Sequence, residues 1–454
     1  MSALNVDLDL IRKYNVAAPR YTSYPPATHF KEMPAEPLLE RIQANRASTR
    51  DLSLYFHLPF CYSLCWYCGC TTVITGNQGA SAKYIDYLKR EMAILSGLIN
   101  PERKVVQLHF GGGTPTFLLP DEIRELGRAI RATFSFAENI EAGVEIDPRR
   151  LVRDHVLALR EAGFNRASMG VQDFDPKVQE AVHRIQPRAQ TEQAAAWLRE
   201  AGFGSLNIDL IYGLPHQTPE SFEKTLGEVL ELKPDRLAVF NYAHVPWMKP
   251  AQKILKALPT PETKLELLKL TVERLTSNGY VYIGMDHFAR ADDELAAAQR
   301  NKTLQRNFQG YSTRGQADIY AFGMSSISHA NGAYWQNHKE LPDYYAALDA
   351  GQAPISKGYV LTADDEIRSQ VIMRLMCDMS LDYASISETL GLDFKSYFAS
   401  DLASLGDLEA DGLIVRDDSG IAVTDLGRLL IRNIAVRFDA YHAGRTELSF
   451  SKSI

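Results

Sequence analysis

Short runs of β-branched and aromatic residues alternate with longer amphipathic stretches between residues 52 and 290. Near-continuous apolar runs separated by helical patterns are typical of parallel strands joined by βαβ crossovers. Roughly six such repeats predict an α/β fold, a partial (β/α)6-type barrel over residues 51–330. The predicted strands are LSLYFH (52–57), VVQLHF (105–110), AGVEID (142–147), RASMGV (166–171), LNIDLIYG (206–213) and RLAVFNYA (236–243), with VYIGMDHF (281–288) as a candidate for one more.

Polar residues and glycines gather where these predicted strands end. A cysteine-rich segment follows the first strand and GGGTPT follows the second, while Glu145 and Gln172 lie at or just past the ends of the third and fourth. Asp209 lies in the second half of the fifth. The catalytic groups of α/β barrels sit at the carboxyl ends of the strands. The sequence therefore predicts a functional site at that end of the barrel.

The two ends of the chain depart from the barrel pattern. Residues 1–50 include APRYTSYPPATHF (18–30), which is too rich in proline for a helix, and we predict an N-terminal arm packed on the barrel. Residues 331–454 are predicted to form a mainly helical C-terminal domain, winged-helix-like because a hairpin (413–424) precedes a helix near Asp425. Residues 401–454 hold nine acidic and six basic residues, so we expect a structural role or a substrate lid rather than DNA binding.

Composition narrows the class of protein. Of the 454 residues, 45% are hydrophobic and 23% charged, which is ordinary for a soluble globular protein. The sequence has no apolar run near the roughly 20 residues needed to cross a bilayer and no signal-peptide pattern, so we expect a cytoplasmic protein without a membrane partner. The net charge of −7 argues against a nucleic-acid partner. We expect a monomer.

Four of the five cysteines lie within ten residues, in Cys61-Tyr-Ser-Leu-Cys65-Trp-Tyr-Cys68-Gly-Cys70. A structural zinc site needs four ligands, commonly two separated pairs, and Cys377 is too isolated to complete one. Three thiolates at CxxxCxxC spacing suit three corners of an iron–sulfur cube and leave one iron without a protein ligand. We therefore favour a [4Fe–4S] cluster on Cys61, Cys65 and Cys68 over zinc, with Cys70 as a neighbour that does not ligate.

The CxxxCx(aromatic)C motif after a first barrel strand resembles the radical S-adenosylmethionine superfamily. The resemblance implies that the amino and carboxylate groups of S-adenosylmethionine chelate the open iron. It also implies that one electron from the cluster cleaves the sulfonium to methionine and a 5′-deoxyadenosyl radical, which takes hydrogen from an unactivated C–H bond. The protein then has to hold and orient the cofactor and exclude water.

Further segments resemble one family, the oxygen-independent coproporphyrinogen III oxidases, over nearly the whole chain. The resemblance implies decarboxylation of two propionate side chains of coproporphyrinogen III to vinyl groups, giving protoporphyrinogen IX for haem biosynthesis. It also implies an electron donor, and a terminal acceptor for the electron left after loss of CO2. The segments are PRYTSYP, YFHLPFC, CGC, QLHFGGGTPT, GVEIDPR, NRASMGVQDF, NIDLIYGLP, FNYAH, IGMDHFA, RNFQGY and GRLLIRNI…RFDAY.

Motif by motif, the resemblance assigns residues to two molecules of S-adenosylmethionine. The first would contact Tyr55, Gly112, Glu145 and Ile327. The second would contact Tyr67, Gly113, Thr114, Gln172, Arg184, Asp209 and Ala243. The candidates for catalysis are Tyr55, His57, Glu145, Phe308 and Gln309. Ordinary structural roles stay open for these residues, such as a tight turn at the glycines or an ion pair at Glu145.

The implied substrate carries four carboxylates, which arginine side chains bind through paired hydrogen bonds. The candidates are Arg20, Arg149, Arg166 and Arg290, and Tyr21 with the arm would close over the substrate. Two alternative functions stay open. One is a related haem-handling protein, either a haem chaperone or a haem-degrading methyltransferase. The other is a zinc-bearing winged-helix binding protein.

Overall fold

An open sheet of thirteen strands organises the chain in the computed structural model, which describes residues 6–442. Residues 1–5 of the predicted arm and 443–454 of the predicted C-terminal domain therefore lie outside the described residues. The strands of this sheet and of two small ribbons are β1 (Lys31–Glu32), β2 (Leu52–Leu58), β3 (Phe60–Cys61), β4 (Val73–Ile74), β5 (Lys104–Gly112), β6 (Ser135–Ile146), β7 (Arg166–Gln172), β8 (Ser205–Tyr212), β9 (Arg236–Asn241), β10 (Tyr280–Gly284), β11 (His287–Arg290), β12 (Gln305–Asn307), β13 (Gly310–Ser312), β14 (Asp318–Phe322), β15 (Ile327–Ala330), β16 (Ala333–Asn337) and β17 (Ile355–Val360).

Seven neighbouring strands of this sheet are parallel, in the order β14–β2–β5–β6–β7–β8–β9. Antiparallel strands β15, β16, β17 and β1 extend one edge, and β11 and β10 extend the other. Because β1 and β10 stand at opposite ends of the strand order, the sheet does not close on itself. The predicted partial α/β barrel is thus confirmed, with parallel strands but without closure.

Alternation along the strands separates an apolar outer face from a polar inner one. In β2, Leu52, Leu54 and Phe56 are at most 1% exposed, whereas Tyr55 and His57 point to the other side of the sheet, where a cavity lies. The apolar face packs on the crossover helices. The helices up to residue 349 are α1 (Leu8–Tyr14), α2 (Glu36–Ala44), α3 (Gly79–Ser96), α4 (Pro120–Thr133), α5 (Arg153–Ala162), α6 (Pro176–Ala181), α7 (Arg188–Glu200), α8 (Pro219–Glu231), α9 (Pro261–Ser277), α10 (Glu294–Arg300) and α11 (Leu341–Asp349). None of the described helices combines the length and the apolar character required to span a lipid bilayer.

The segment VYIGMDHF (281–288) forms a hairpin rather than one further strand. Tyr282 pairs with Phe288 across it, and β11 runs antiparallel to β9. The reversal occurs at Gly284 and Met285, which have φ values of 150° and 52°. The second is in the left-handed region, which a straight strand does not use. The run of apolar residues predicted the strand character but not this turn.

The helical C-terminal region follows the main sheet and carries its own three-stranded sheet. Its elements are α12 (Ala363–Asp378), β18 (Ser380–Asp382), α13 (Tyr383–Leu390), α14 (Phe394–Tyr397), α15 (Ala399–Ala403), α16 (Gly406–Ala410), β19 (Ile414–Arg416), β20 (Gly420–Val423), α17 (Asp425–Leu429) and α18 (Ile431–Ala435). The β19–β20 hairpin and the helix beginning at Asp425 confirm the pattern predicted for residues 413–425. Since β16 and β17 pair within the main sheet, we propose that this unit begins near residue 361, not at 331.

The arm packs against both the main sheet and the C-terminal region. Strand β1 pairs with β17, and Leu38 and Ile42 of α2 are buried in the core of the main sheet, which agrees with an arm packed on the barrel. Tyr21 is 1% exposed and donates a hydrogen bond to Asp439 (2.9 Å), while Tyr24 accepts one from the amide of Ala440 (3.0 Å). Arg432 donates to the carbonyl of Pro19 (3.1 Å). Burial of these aromatic rings in the second apolar core fixes the arm, because exposing them to water would cost several kcal/mol.

Candidate active site

The inner face of the parallel strands encloses a cavity of about 440 Å³. Its wall is mostly built from side chains at alternate positions of β2 and β5–β9, which the period of a strand turns to one face. Those side chains are polar where the outward ones are apolar. The inward polar residues that line the cavity are Tyr55, His57, Gln107, His109, Glu141, Glu145, Arg166, Ser168, Ser205, Asn207, Asp209 and Arg236. The site is therefore a polar cavity inside the partial barrel.

The cysteine loop lies just past the carboxyl end of β2. The thiol of Cys61 is 3.3 Å from the hydroxyl of Thr114, which follows β5. Cys65 Sγ accepts hydrogen bonds from Arg149 (3.4 Å) and Arg184 (3.6 Å). Two guanidinium groups therefore lie at one sulfur, where they would offset the negative charge of a metal-bound thiolate.

The pKa values of two of these thiols move in opposite directions. Burial raises the pKa of Cys61 to about 11. A hydrogen bond from the Cys70 side chain lowers the pKa of Cys68 to about 6. Cys70 itself is exposed. The loop thus supplies three sulfur donors, with Cys70 beside the third.

This donor set fits the predicted cluster better than a zinc site. Cys377, the fifth cysteine, is 1% exposed in the C-terminal core and takes no part in the loop. Within residues 6–442, no three His, Cys, Asp or Glu side chains lie close enough together to hold a single metal ion. Three sulfurs on one loop, with arginines offsetting their charge, suit an iron–sulfur cube with one open iron.

An ion-pair network behind Cys65 includes Asp147, which the sequence analysis missed. Its Oδ2 lies 2.6 Å from Arg149 Nη2 and 3.2 Å from Arg184 Nη1. Burial raises the pKa of Asp147, but the charges of Arg184 and Arg149 outweigh it and bring the pKa to about 2. Asp147 therefore stays ionised and holds both guanidinium groups at the thiol. In the motif GVEIDPR, Asp147 comes two residues after Glu145 and directly follows β6. The period-two alternation of the strand therefore predicts that both side chains point to the same side of the sheet.

The glycines after β5 allow His57 and the cysteine loop to approach the backbone. A Cβ on Gly112, whose φ is 112°, would lie 2.5 Å from the His57 ring. A Cβ on Gly113 would lie 2.4 Å from the carbonyl oxygen of Pro59, just before the loop. Any larger residue at either position would force one of these groups to move. The GGG turn is therefore required by close packing at the site.

His57 and Tyr55 form a fixed pair at the end of β2. His57 Nε2 is 3.0 Å from the carbonyl oxygen of Thr71, which can only accept, so Nε2 carries the proton. His57 Nδ1 then accepts from the Tyr55 hydroxyl at 3.2 Å. Burial lowers the pKa of His57, so the ring is neutral at pH 7. The Tyr55 ring stacks on His109, its partner in the neighbouring strand.

Glu145 lies between these rings and the glycine turn. Its Oε2 accepts a hydrogen bond from the amide of Gly112 (3.0 Å), and its Oε1 is 3.5 Å from His109 Nε2. Burial raises the pKa of Glu145, but the interactions with His109 and with the Gly112 amide outweigh it, so the net shift is downward. An ionised carboxylate therefore faces the cavity. Glu145 is 33 residues from Gly112 in the sequence, and the fold brings the two together.

Asp209 occupies the opposite wall, on β8. It accepts hydrogen bonds from Ser168 (3.0 Å) and Asn207 (2.7 Å). Burial raises its pKa to about 7, and the nearby charge of Glu145 adds to the rise. Both partners lie on the inner face of the sheet, so Asp209 faces the cavity and does not cap the turn that follows β8.

Four of the predicted residues carry buried polar atoms without a hydrogen-bond partner among the described residues. These atoms are Arg166 Nε, Gln172 Oε1, Arg184 Nε and Gln309 Oε1. Buried polar groups in native proteins are normally paired, so unpaired ones mark places for a ligand or water. Arg166 and Gln309 line the cavity itself. Gln172 also has a φ of 70°, a conformation that costs free energy and is common at functional sites.

The remaining predicted residues lie at the rim or farther out. Ile327, Phe308 and Gln309 line the cavity, and Gln309 donates to Ser53 (3.2 Å). Tyr67 is packed in a small apolar cluster beside the loop. Ala243 is exposed just after β9 and does not line the cavity.

Of the four arginines considered for the substrate, Arg166 alone lines the cavity. Arg149 is committed to Asp147 and Cys65, and Arg290 pairs with Asp292 on the surface. Arg20 pairs with Asp286. Arg236, which the sequence analysis did not consider, also lines the cavity.

Helix α3 braces the site from outside the barrel. Tyr84 donates to the carbonyl of His57 (2.9 Å) and accepts from the amide of Met324 (2.8 Å). Glu91, two helical turns later, accepts from the amide of Gly323 (2.8 Å) and from Tyr344 (2.7 Å). The carboxyl end of β2 and the β14–β15 turn before Ile327 are thereby tied to one rigid helix.

Comparison with known proteins adds to this geometry. Residues 55–229 match the model of the Radical SAM superfamily, and residues 361–430 match the HemN C-terminal domain. An oxygen-independent coproporphyrinogen III oxidase from Synechocystis sp. is 47% identical over 98% of this chain and 97% of its own length. One from Escherichia coli is 49% identical over 96% and 95%. The solved structure of the radical SAM enzyme coproporphyrinogen III oxidase (HemN) from Escherichia coli superposes with a TM-score of 0.92 at 46% identity, covering 97% of this chain and 100% of that one.

Proposed function

This chain belongs to the oxygen-independent coproporphyrinogen III oxidases of the radical SAM superfamily, and we propose from that premise that it converts coproporphyrinogen III to protoporphyrinogen IX. In this reaction each of two propionate side chains loses one hydrogen atom from its β-carbon, CO2 and one electron, and becomes a vinyl group. The observation that carries the proposal is the three-cysteine loop after β2, the strand whose Tyr55 lines the cavity together with Glu145, Asp209 and Ile327.

As a member of this superfamily the protein uses a [4Fe–4S] cluster and S-adenosylmethionine. Cys61, Cys65 and Cys68 would hold the cluster and leave one iron open. When bound, the cluster and S-adenosylmethionine together supply a 5′-deoxyadenosyl radical that abstracts hydrogen from the substrate. The chain's own tasks are to bind, orient and exclude water.

A first S-adenosylmethionine fits the side of the cavity next to the loop. Gly112 leaves room for its methionine end, and the ionised Glu145 accepts from ribose hydroxyls or the amino group. Tyr55 and the neutral His57 form one wall, and Ile327 offers an apolar surface for adenine. The brace from α3 keeps these two walls at a fixed separation.

We also propose a second S-adenosylmethionine on the neighbouring strands. The unpaired atoms of Gln172 and Arg184 support it, because a ligand would satisfy both. Asp209 faces the same cavity. The proposed contact residues are Tyr67, Gly113, Thr114, Gln172, Arg184, Asp209 and Ala243.

The residues proposed for catalysis beside the cofactor are Tyr55, His57, Glu145, Phe308 and Gln309. Phe308 gives an apolar surface for a tetrapyrrole, and Gln309 Oε1 is available to accept a hydrogen bond from a pyrrole N–H. We propose in addition that the protein acts as a monomer in the cytoplasm, receiving electrons from a separate donor and passing those left by decarboxylation to a terminal acceptor.

An anaerobic assay tests the function. Cluster-replete protein is mixed with coproporphyrinogen III, S-adenosylmethionine and dithionite, and products are separated by chromatography. We expect protoporphyrinogen IX together with 5′-deoxyadenosine. Absence of both would overturn the proposal, and consumption of haem in a parallel reaction would instead favour a haem-handling relative. Iron and sulfide analysis of the same sample distinguishes the cluster from zinc.

A further inference from the structure

The segment after β9 folds across the outside of the cysteine loop. Lys249 donates to the carbonyl of Cys70 (2.8 Å), two residues beyond the third cluster ligand. Gln252 donates to the carbonyl of Tyr67 (3.0 Å), and Leu255 packs in the same apolar cluster as Tyr67. This segment is therefore the part of the surface that lies directly over one side of the loop.

Three large apolar side chains of this segment are exposed. Trp247 is 67% exposed, Met248 70% and Ile254 50%. Exposed apolar residues that cluster and are rimmed by polar ones commonly mark a protein interface, and tryptophan, methionine and tyrosine are enriched there. We call these three residues, with Lys249, Lys253 and Lys256, the docking face.

The charge of the docking face is opposite to that of the whole chain. The chain carries a net charge of −7, yet no Asp or Glu occurs from residue 236 to 261, and none from 52 to 85. The positive charge of the docking face comes from Lys249, Lys253 and Lys256, the last two of which are exposed.

The position of the docking face favours a protein partner over the substrate. Within residues 6–442, none of its six side chains lines the cavity that the substrate must reach. An electron for the cluster, in contrast, has to arrive from outside the barrel. The contact between Lys249 and Cys70 makes this face a short route to the loop.

We propose that the docking face binds a small acidic protein that carries one electron and delivers it to the cluster. This inference rests on the proposed function, since the cluster is what accepts the electron. The carrier is oxidised by one electron and the cluster is reduced by one, with no bond made or broken in either protein. Charge complementarity would steer the encounter, and the exposed apolar residues would form the centre of the interface.

Charge reversal on holoenzyme tests the proposal. Lys253 and Lys256 are both exposed, so Lys253→Glu/Lys256→Glu should fold. The probe is an acidic plant-type [2Fe–2S] ferredoxin, with its Kd measured by calorimetry in the oxidised form and the rate of cluster reduction measured by stopped-flow absorbance in the reduced form. We expect binding to weaken by at least tenfold, ferredoxin-driven reduction to slow in parallel, and dithionite-driven reduction to stay unchanged.

A matched control is Lys104→Glu/Lys224→Glu, which changes the net charge equally at exposed positions away from the loop. It should bind ferredoxin as the wild type does. Equal loss in both double variants, or wild-type affinity in the docking-face variant, would overturn the proposal. So would an intact ferredoxin affinity combined with a raised KM for coproporphyrinogen III, which would assign the face to the substrate. Salt should weaken ferredoxin binding to the wild type, and a salt-independent Kd would also contradict us.

These readouts are separate from the proposed function. Ferredoxin binding and cluster reduction report on the docking face even when no porphyrin product forms. Formation of protoporphyrinogen IX with dithionite reports on the function even when ferredoxin does not bind.

Discussion

Buried polar and charged groups have different partners at the two ends of the parallel strands. At the amino end, Arg236 lies 2.9 Å from Asp293 and 2.7 Å from Glu294, and Arg166 also lies 2.7 Å from Glu294. At the carboxyl end, Arg184 and Gln172 retain buried polar atoms without a partner among the described residues. At the amino end both arginines are paired with carboxylates of the protein, whereas at the carboxyl end the amide oxygen of Gln172 has no partner among the described residues.

This difference indicates which end is built for a ligand. Arginines paired with carboxylates close the cavity floor, since an unpaired buried charge would be costly. Arg166 Nε makes no hydrogen bond in the described chain, but it is 3.9 Å from Glu141. Unpaired amide and guanidinium atoms beside a metal-binding loop instead cost stability until a ligand arrives. We therefore propose that the carboxyl end holds the reactive centre and that the amino end supports it.

The largest expected effect is at the cysteines of the carboxyl end. Cys61→Ala, Cys65→Ala or Cys68→Ala should each abolish the cluster, because each removes one of three protein ligands. Cys70→Ala is the matched control and should keep it. Iron and sulfide content and visible absorbance after anaerobic reconstitution measure this. Loss of the cluster in the Cys70 variant would show that the ligand set is wrong.

Removing an ion pair at the amino end of the strands should lower the free energy of unfolding without changing the affinity for S-adenosylmethionine. Arg236→Met leaves Asp293 largely buried without a cation, so we expect a loss of about 3 kcal/mol in the free energy of unfolding. The affinity of the folded protein for S-adenosylmethionine should be unchanged. Denaturant unfolding measures the free energy of unfolding, and equilibrium dialysis measures the affinity for S-adenosylmethionine. Arg290→Met, at a surface pair, should change stability by less than about 0.5 kcal/mol. Weakened cofactor binding in Arg236→Met would contradict the division between the two ends.

Glu91, in the brace behind the carboxyl end, should give the protein a pH dependence. Burial raises its pKa from 4.5 to about 7. The folded protein therefore holds this proton more tightly than the unfolded chain, and stability falls as pH rises between these two values. From pH 5 to 8 the wild type should lose about 2–3 kcal/mol through this group. Glu91→Gln cannot ionise and should lose that much less.

Unfolding midpoints at pH 5 and pH 8 for the wild type and for Glu91→Gln check this. Glu102→Gln, at an exposed carboxyl, serves as the control and should follow the wild type. An identical pH dependence in the Glu91 variant would show that this carboxyl is not held protonated by burial.

The smallest expected effect on stability is at the glycine turn. Gly113→Ala places a Cβ 2.4 Å from the carbonyl oxygen of Pro59, so we expect a loss of about 1–3 kcal/mol. The shift of the cysteine loop should weaken S-adenosylmethionine binding at least tenfold. Gly76→Ala meets nothing within 4 Å and should behave as wild type. Unaltered cofactor affinity in Gly113→Ala would mean that the turn does not set the position of the loop.

The sequence predicts which residues lie at the carboxyl ends of the strands because this information is local, while the roles of these residues stay predictions. Strand runs place Glu145, Gln172 and Asp209 on neighbouring strands, and the cysteine spacing is contained in one loop. The sequence analysis did not include His109 and Asn207, which lie on the inner face of the sheet. The apolar runs identify the outward-facing residues of each strand, whereas the period-two alternation predicts that these two residues face inward.

Long-range contacts could not be predicted in the same way. The arm packs on the barrel through β1, yet Tyr21 also reaches Asp439, 418 residues away, a pairing that no local pattern encodes. Strands β16 and β17 were assigned to the C-terminal domain because they follow the last obvious crossover. Their pairing in the main sheet depends on tertiary structure.

Transfer of deuterium tests the central claim most directly. Coproporphyrinogen III labelled with deuterium at the β-carbons of its propionates is turned over anaerobically by cluster-replete protein with unlabelled S-adenosylmethionine, and the 5′-deoxyadenosine is examined by mass spectrometry. The account predicts 5′-deoxyadenosine carrying deuterium, together with protoporphyrinogen IX, because substrate and cofactor meet in the same cavity. Product formation with 5′-deoxyadenosine free of deuterium would contradict it.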